Sequence, residues 1–372
     1  MKTADLLIDD KGPQIRHRSG IVAPDPFIYL FPAGGKPMVF FDAREYDVKK
    51  AELARLKNGV AIKRLEPYMK RVKNTDVPPL TAVLLLILVN ANIKKVRIPA
   101  TMPYGLVKTL KENGLIIEIH NFDGEREKKS VEELKNIITA QRVTESAFNL
   151  AWNILAASRI QGKKMMFERE VLTSERLKII LKTHLLKSGL ECPDGIIVAS
   201  GKQTARPHDD GTGPILPNQL IIIDIFPRAE KTGYYADMTR TFVKGKASAE
   251  MKKLYEDLRQ VQQEIAESVK VGDECQRVHQ QTVAAFKKRG HKTSPQVGFM
   301  HGTGHSLGLS VHEEPRLNAQ SNRTIEPGMV LTIEPGLYYP DLGGVRIEDI
   351  IVFHPNGRKE NITTFVKPYI IS

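Results

Sequence analysis

The stretch His301-Gly-Thr-Gly-His305-Ser-Leu-Gly-Leu-Ser-Val-His312-Glu-Glu-Pro-Arg316, followed by Thr332-Ile-Glu334-Pro-Gly336 and Gly344-Val-Arg346-Ile-Glu348-Asp349, decides how this chain is read. Three of the ten histidines, several acids and two arginines fall here, each beside Gly or Pro residues that permit close turns. Imidazole and carboxylate together are what a divalent cation needs, and glycine-rich turns let ligands from separate strands converge.

Further ligands lie upstream. Leu220-Ile-Ile-Ile223 is a β-branched run ending in Asp224, and a turn-like segment (Pro227, Lys231, Gly233) leads to Tyr234-Tyr-Ala-Asp237-Met-Thr-Arg-Thr-Phe-Val243. The pattern predicts a hairpin with one aspartate facing inward from each arm. Two such carboxylates repel when buried, unless a cation lies between them. The candidate ligand set is therefore Asp224, Asp237, His305, Glu334 and Glu348. Four carboxylates and a neutral imidazole match the charge of two divalent cations. The oxygen-rich, thiolate-free shell favours Mn²⁺ or Co²⁺, and also admits Mg²⁺ or Zn²⁺. Two such ions sharing a water lower its pKa toward ~7, so hydrolysis is the natural chemistry.

In order and spacing these motifs resemble the pita-bread metallopeptidases, specifically the branch holding Xaa-Pro aminopeptidase and Xaa-Pro dipeptidase (prolidase). The resemblance covers roughly the C-terminal two-thirds. It implies that Asp224 binds one metal with both oxygens, that Asp237 and Glu348 bridge, and that His305 and Glu334 hold the other, with Glu334 as proton shuttle. His208, in Ala205-Arg-Pro-His208-Asp, and His312 match the family's substrate-side histidines, and His301 belongs to the same motif. Arg346 falls beside Glu348 and is counted with the substrate-side residues. Arg316 matches the place where prolidase-like members grip a dipeptide's carboxylate, a task suited to a guanidinium; a surface arginine in a Pro-containing turn is the alternative. The implied substrate is a peptide with proline in second position, and the implied assembly a homodimer. One departure stands out: Phe226 occupies a slot where members commonly have Gly, and the loop from Asp224 to Asp237 is longer. The hairpin arms should stay in register, with the change falling on the wall near the site.

At 372 residues the chain has room for two domains. Residues 1–127 show short β-type runs (19–30, 37–41, 60–62, 96–98, 115–119) alternating with helical stretches (45–57, 79–92), an α/β pattern resembling the creatinase-type N-terminal domain. Residues 128–372 begin with a capping-box signal, Ser130 and Glu133, before a long amphipathic helix, and continue with three more helices and several strands. The expected class is α/β (α+β), a curved antiparallel sheet backed by helices. Hydrophobic residues at 41% and charged residues at 26% are ordinary globular values. A formal charge of +12 would attract polyanions, but the lysines are scattered and aromatics are only 6%, which argues for a solvated basic surface over nucleic-acid recognition. Cys192 and Cys275 show no CxxC spacing, acids interrupt any signal-type apolar run at the N-terminus, and the longest apolar run, 80–89, is too short to span a bilayer. A cytoplasmic protein is the expectation. Two other classes fit the same scaffold: a hydrolase or lyase acting on a small non-peptide molecule, and a non-catalytic binding protein, the latter disfavoured by retention of all five ligands.

Overall fold

A computed structural model describes residues 1–72, 77–366 and 369–371. Two compact units are present, Met1–Arg126 and Glu127–Ser372.

The first unit is built on a mixed six-stranded sheet. Its strands are β1 (Thr3–Asp9), β2 (Phe27–Pro32), β3 (Met38–Phe41), β4 (Ala61–Arg64), β5 (Lys95–Ile98) and β6 (Ile116–Ile119), in the order β4-β3-β2-β1-β5-β6. The run expected at 19–30 is corrected: α1 (Pro13–Ser19) ends there at Gly20, and extended structure begins only at Phe27. Pro24 and Pro26 lack the N–H a ladder requires. Strand β1, which the sequence did not signal, lies inside the sheet, antiparallel to β2 and parallel to β5. Its Asp5 is buried and held by Arg18 at 2.7 Å and Arg97 at 2.5 Å. The helices α2 (Tyr46–Leu56), α3 (Glu66–Met69), α4 (Pro79–Asn90) and α5 (Tyr104–Glu112) complete the unit. The apolar run 80–89 lies in α4, with Val83, Leu84, Ile87 and Leu88 in the core. No helix among the described residues is long and apolar enough to cross a membrane.

The second unit opens with α6 (Val131–Ala157), whose capping box is formed: Ser130 Oγ accepts from Glu133 N, and Ser130 N donates to Glu133 Oε2 at 2.8 Å. Helices α7 (Ser174–Lys187), α8 (Ala249–Ser268) and α9 (Cys275–Lys288) follow. Strands β7 (Ile197–Ser200), β8 (Leu220–Ile225) and β9 (Met238–Lys244) form one antiparallel group. Strands β10 (Gly304–Ser306), β11 (Glu313–Leu317), β12 (Val330–Ile333) and β15 (Asp349–Phe353) belong to a second sheet, and β13 (Gly336–Tyr339) pairs with β14 (Gly343–Arg346) in a third. Helices α6 and α7 set Phe148, Leu155, Leu177 and Leu181 against Val198, Ile221, Ile223 and Phe242. Helices α8 and α9 do the same with Leu258, Val261, Val278 and Phe286 against Leu331, Ile333, Leu337 and Ile351.

Alternation along each strand then decides which side chains escape this core. On β8, Ile221, Ile223 and Ile225 face the helices, so Asp224 faces away. On β9, Thr239 and Thr241 point with Asp237 to the same open side, while Arg240 enters the core. Arg240 and Asp349 are both fully buried and paired at 2.8 Å, and the guanidinium also donates to the Glu348 carbonyl at 2.6 Å. Replacing Arg240 with Met strands the Asp349 charge and should cost about 3–5 kcal/mol. Urea denaturation of Arg240→Met against Arg240→Met/Asp349→Asn measures it; the double variant should recover part of the loss.

Candidate metal centre

The four carboxylate ligands sit at or beside strand ends, and His305 lies within a short strand. Asp224 precedes the last residue of β8, Asp237 precedes β9, and the register runs unbroken from Leu220↔Val243 to Ile225↔Met238. The long loop therefore leaves the hairpin arms aligned, and it is itself tied down where Arg228–Ala229 pairs with Leu190–Glu191. Glu334 follows β12 and Glu348 precedes β15, flanking the Ile333↔Asp349 pair. His305 lies in β10, against β12. Gly304 makes that approach possible: a Cβ there would lie 1.9 Å from the Thr332 carbonyl oxygen.

All five ligands line one cavity of about 600 Å³, together with His208, His301, His312, Arg316 and Arg346. One ligand atom each from Asp237, His305 and Glu348 falls within a 4.8 Å group. Glu334 Oε1 is 3.2 Å from His305 Nε2, and Asp237 Oδ2 is 3.7 Å from it. His305 Nδ1 lies 3.0 Å from the Ser306 carbonyl, which can only accept, so Nδ1 carries the proton and a neutral ring turns the Nε2 lone pair toward the acids.

The supports are as specific as the ligands. Thr239 Oγ1 donates to Glu348 Oε2 at 2.9 Å, and the buried Gln141 of α6 accepts from Asp237 N at 3.3 Å. Lys129, also buried, donates to Glu313 Oε2 and Ser306 Oγ, both at 3.0 Å, which fixes the segment carrying His312. Arg346 spans Asp224 Oδ2 at 2.5 Å and Tyr338 Oη at 2.9 Å, and Tyr338 in turn reaches His301 Nε2 at 3.0 Å. His301 Nδ1 lies 2.8 Å from the Gly302 carbonyl, so both its nitrogens are engaged by the protein. The sequence reading, which set Arg346 beside Glu348, missed this chain because Tyr338 carries no motif of its own. Arg316 lies on β11 rather than in a turn, opposite His305 in register, and is half exposed with Glu314 at 3.6 Å. His208 and His312 are exposed to the cavity mouth.

The electrostatics of the cavity favour a bound cation. Burial raises the Asp224, Asp237 and Glu348 carboxyls above their ordinary range; neighbouring acids add to the rise at Asp237 and Glu348, while Arg346 opposes it at Asp224. Burial would raise Glu334 too, but the hydrogen bond and charge of His305 bring it down to about 2. His305, which burial alone would lower, is raised to about 9 by Glu334 and Asp237. His301 is lowered to about 4, chiefly by burial, and His312 is lowered by the partial desolvation of its inner edge in the cavity and by the charge of His305. Asp224 Oδ1 and Glu348 Oε1 are buried without a hydrogen-bond partner among the described residues. Orphaned carboxylate oxygens facing a shared cavity are what hard cations satisfy, so the donor set fits divalent metal.

A model of metallopeptidase family M24 matches residues 135–355, more than half of the chain. The chain belongs to metallopeptidase family M24. It is accordingly a peptidase-class hydrolase whose family uses divalent metal ions. The Xaa-Pro dipeptidase of Pyrococcus horikoshii is 29% identical over 364 residues, covering 95% of this chain and 92% of its own length. A prolidase crystal structure from Pyrococcus horikoshii matches with a TM-score of 0.77 at 24% identity, covering 98% of this chain and 94% of that one. An X-Pro aminopeptidase of Thermotoga maritima matches with a TM-score of 0.79 at 21% identity, covering 100% and 97%. The fold is thus the expected one, a creatinase-like α/β unit followed by a pita-bread unit.

Metal uptake by this M24 chain should depend on pH with a definite sign. His305 holds its proton below about 9 and must release it to become a ligand. Affinity for Mn²⁺ should therefore rise with pH, by about tenfold per unit for each proton released, between about pH 6 and 8. Competition with a chelator at the two values checks this, after correction for protonation of the chelator.

Proposed function

We propose that the chain is a dinuclear metallopeptidase that cleaves the bond before proline, releasing the amino-terminal residue from Xaa-Pro dipeptides. The observation that carries this is the convergence of four carboxylates and one imidazole on a single cavity, with Arg316 at its edge. Asp224, Asp237 and Glu348 would hold one ion of a pair and Asp237, Glu348, His305 and Glu334 the other, with Mn²⁺ or Co²⁺ favoured by the oxygen-rich donor set. When bound, such a pair supplies a water of lowered pKa and positive charge for the developing oxyanion.

The protein's own side chains do the rest. Glu334 takes the proton of the attacking water and passes it to the departing nitrogen. That nitrogen belongs to proline and has no N–H in the peptide, so it leaves only when protonated. His312 is neutral at pH 7 and keeps an N–H to donate to the scissile group, with His208 across the mouth. His301 acts indirectly, through Tyr338 and Arg346, by fixing Asp224. Arg316 is half exposed and only loosely engaged by Glu314, which leaves its guanidinium available for a dipeptide's carboxylate. The relatives named Xaa-Pro dipeptidase support the same choice.

On metal-stripped enzyme refilled with Mn²⁺ or Co²⁺, an Xaa-Pro dipeptide should be cleaved faster than the matching tripeptide. Glu334→Gln should lower kcat by about 10²–10⁴. Arg316→Ala should raise KM for the dipeptide about tenfold and leave KM for the tripeptide little changed. A tripeptide preferred by the unsubstituted enzyme would make the chain an aminopeptidase instead.

A further inference from the structure

The cavity holds acids that the metal set does not use. Asp194 and Asp210 line it, and both are exposed. Their wall can be located from the strand pairing. Asp194 lies just before β7, whose Ile197 stands opposite Asp224, and Asp194 Oδ2 accepts from Tyr235 Oη at 3.1 Å. Val198 N donates to the Asp210 carbonyl at 3.0 Å, which places Asp210 along the same edge. Arg316, by contrast, stands opposite His305 on β11. One cavity therefore has an acidic wall beside the Asp224 and Asp237 arms and a cationic edge beside His305.

Neither carboxylate forms an ion pair with a lysine or arginine among the described residues, although the chain carries 55 such residues and a formal charge of +12. The nearby Arg228 has its guanidinium on Glu191, at 2.6 and 2.9 Å. The same wall also has apolar surface: Ile197 and Phe226, the aromatic that replaces the usual glycine, line the cavity with Val311. A long cationic side chain matches that combination, its methylene stem along Ile197 and Phe226 and its charged head at the carboxylate.

We propose that Asp194, seated by Tyr235 and assisted by Asp210, is a specificity-determining residue that selects lysine or arginine as the amino-terminal residue of the substrate. The inference rests on the proline-peptidase reading above and deepens it. With the substrate's carboxylate at Arg316 and its scissile bond over the metal ligands, the amino-terminal side chain falls toward the acidic wall. Selection is then electrostatic and weakens as salt screens the exposed carboxylate.

The test compares kcat/KM for Lys-Pro, Leu-Pro and Glu-Pro on the metal-loaded full chain, in the unsubstituted enzyme, Asp194→Asn and Tyr235→Phe. The Lys-Pro to Leu-Pro ratio should be about tenfold or more, with Glu-Pro slowest, and should shrink at about 0.5 M salt. Asp194→Asn should reduce that ratio about tenfold and Tyr235→Phe by less. Because each ratio is internal to one preparation, a partly unfolded variant still reports it. A ratio near one in the unsubstituted enzyme, or one that Asp194→Asn leaves unaltered, overturns the inference while leaving the proline-peptidase reading standing; the second result would mean Asp194 meets the common α-ammonium group. Failure to cleave any of the three dipeptides removes both.

Discussion

Four carboxylates brought out of water within one cavity repel one another and lose hydration together, and the architecture of the second unit follows from that constraint. Left alone, Asp224, Asp237 and Glu348 are pushed toward their neutral forms. Among the described residues, the cations in contact with these acids are Arg346 on Asp224 and His305 between Glu334 and Asp237. Asp224 Oδ1 and Glu348 Oε1 remain without hydrogen-bond partners among the described residues. The shortfall is what divalent cations fill, so folding and metal binding share one electrostatic problem.

Rigid supports keep the acids from escaping it. Arg240 holds Asp349 and the Glu348 carbonyl from the core side, while Thr239 holds the Glu348 carboxylate from the open side. Gly304 lets β10 lie close to β12, because any side chain there would collide with the Thr332 carbonyl. Lys129 and Glu313, buried together, fix the segment that presents His312. Each of these contacts joins residues distant in sequence, so the strand ends can converge only when the whole pita-bread unit has formed.

This division explains how much was legible beforehand. The four carboxylate ligands could be read because each lies at or beside the end of an apolar strand, where an isolated carboxylate is expensive, and His305 because it stands between Gly304 and the apolar Leu307-Gly-Leu309. Helix α6 was announced by Ser130 and Glu133, local in sequence and local in mechanism. Strand β1 was not, since its Asp5 looks like an interruption until Arg18 and Arg97 arrive from elsewhere. The Arg346, Tyr338 and His301 chain was hidden for the same reason: a tyrosine's role depends on partners that only the tertiary fold supplies. Asp194 was missed because an exposed acid after Pro193 reads as an ordinary turn residue.

The cavity's polarity is set against the charge of the whole molecule. A chain of formal charge +12 carries a cavity lined by Asp194 and Asp210, and on the proposed reading this acidic wall and Arg316 would receive the two ends of a substrate. All of this depends on the carboxylate cluster being a two-metal site. The most direct measurement is the number of Mn²⁺ or Co²⁺ ions retained per chain, by elemental analysis after dialysis of the metal-loaded protein. Two ions per chain, falling on substitution of the proposed shared ligands, Asp237→Asn and Glu348→Gln, is the predicted result. A loaded protein that keeps none, or whose retained metal is indifferent to those two substitutions, would contradict the account.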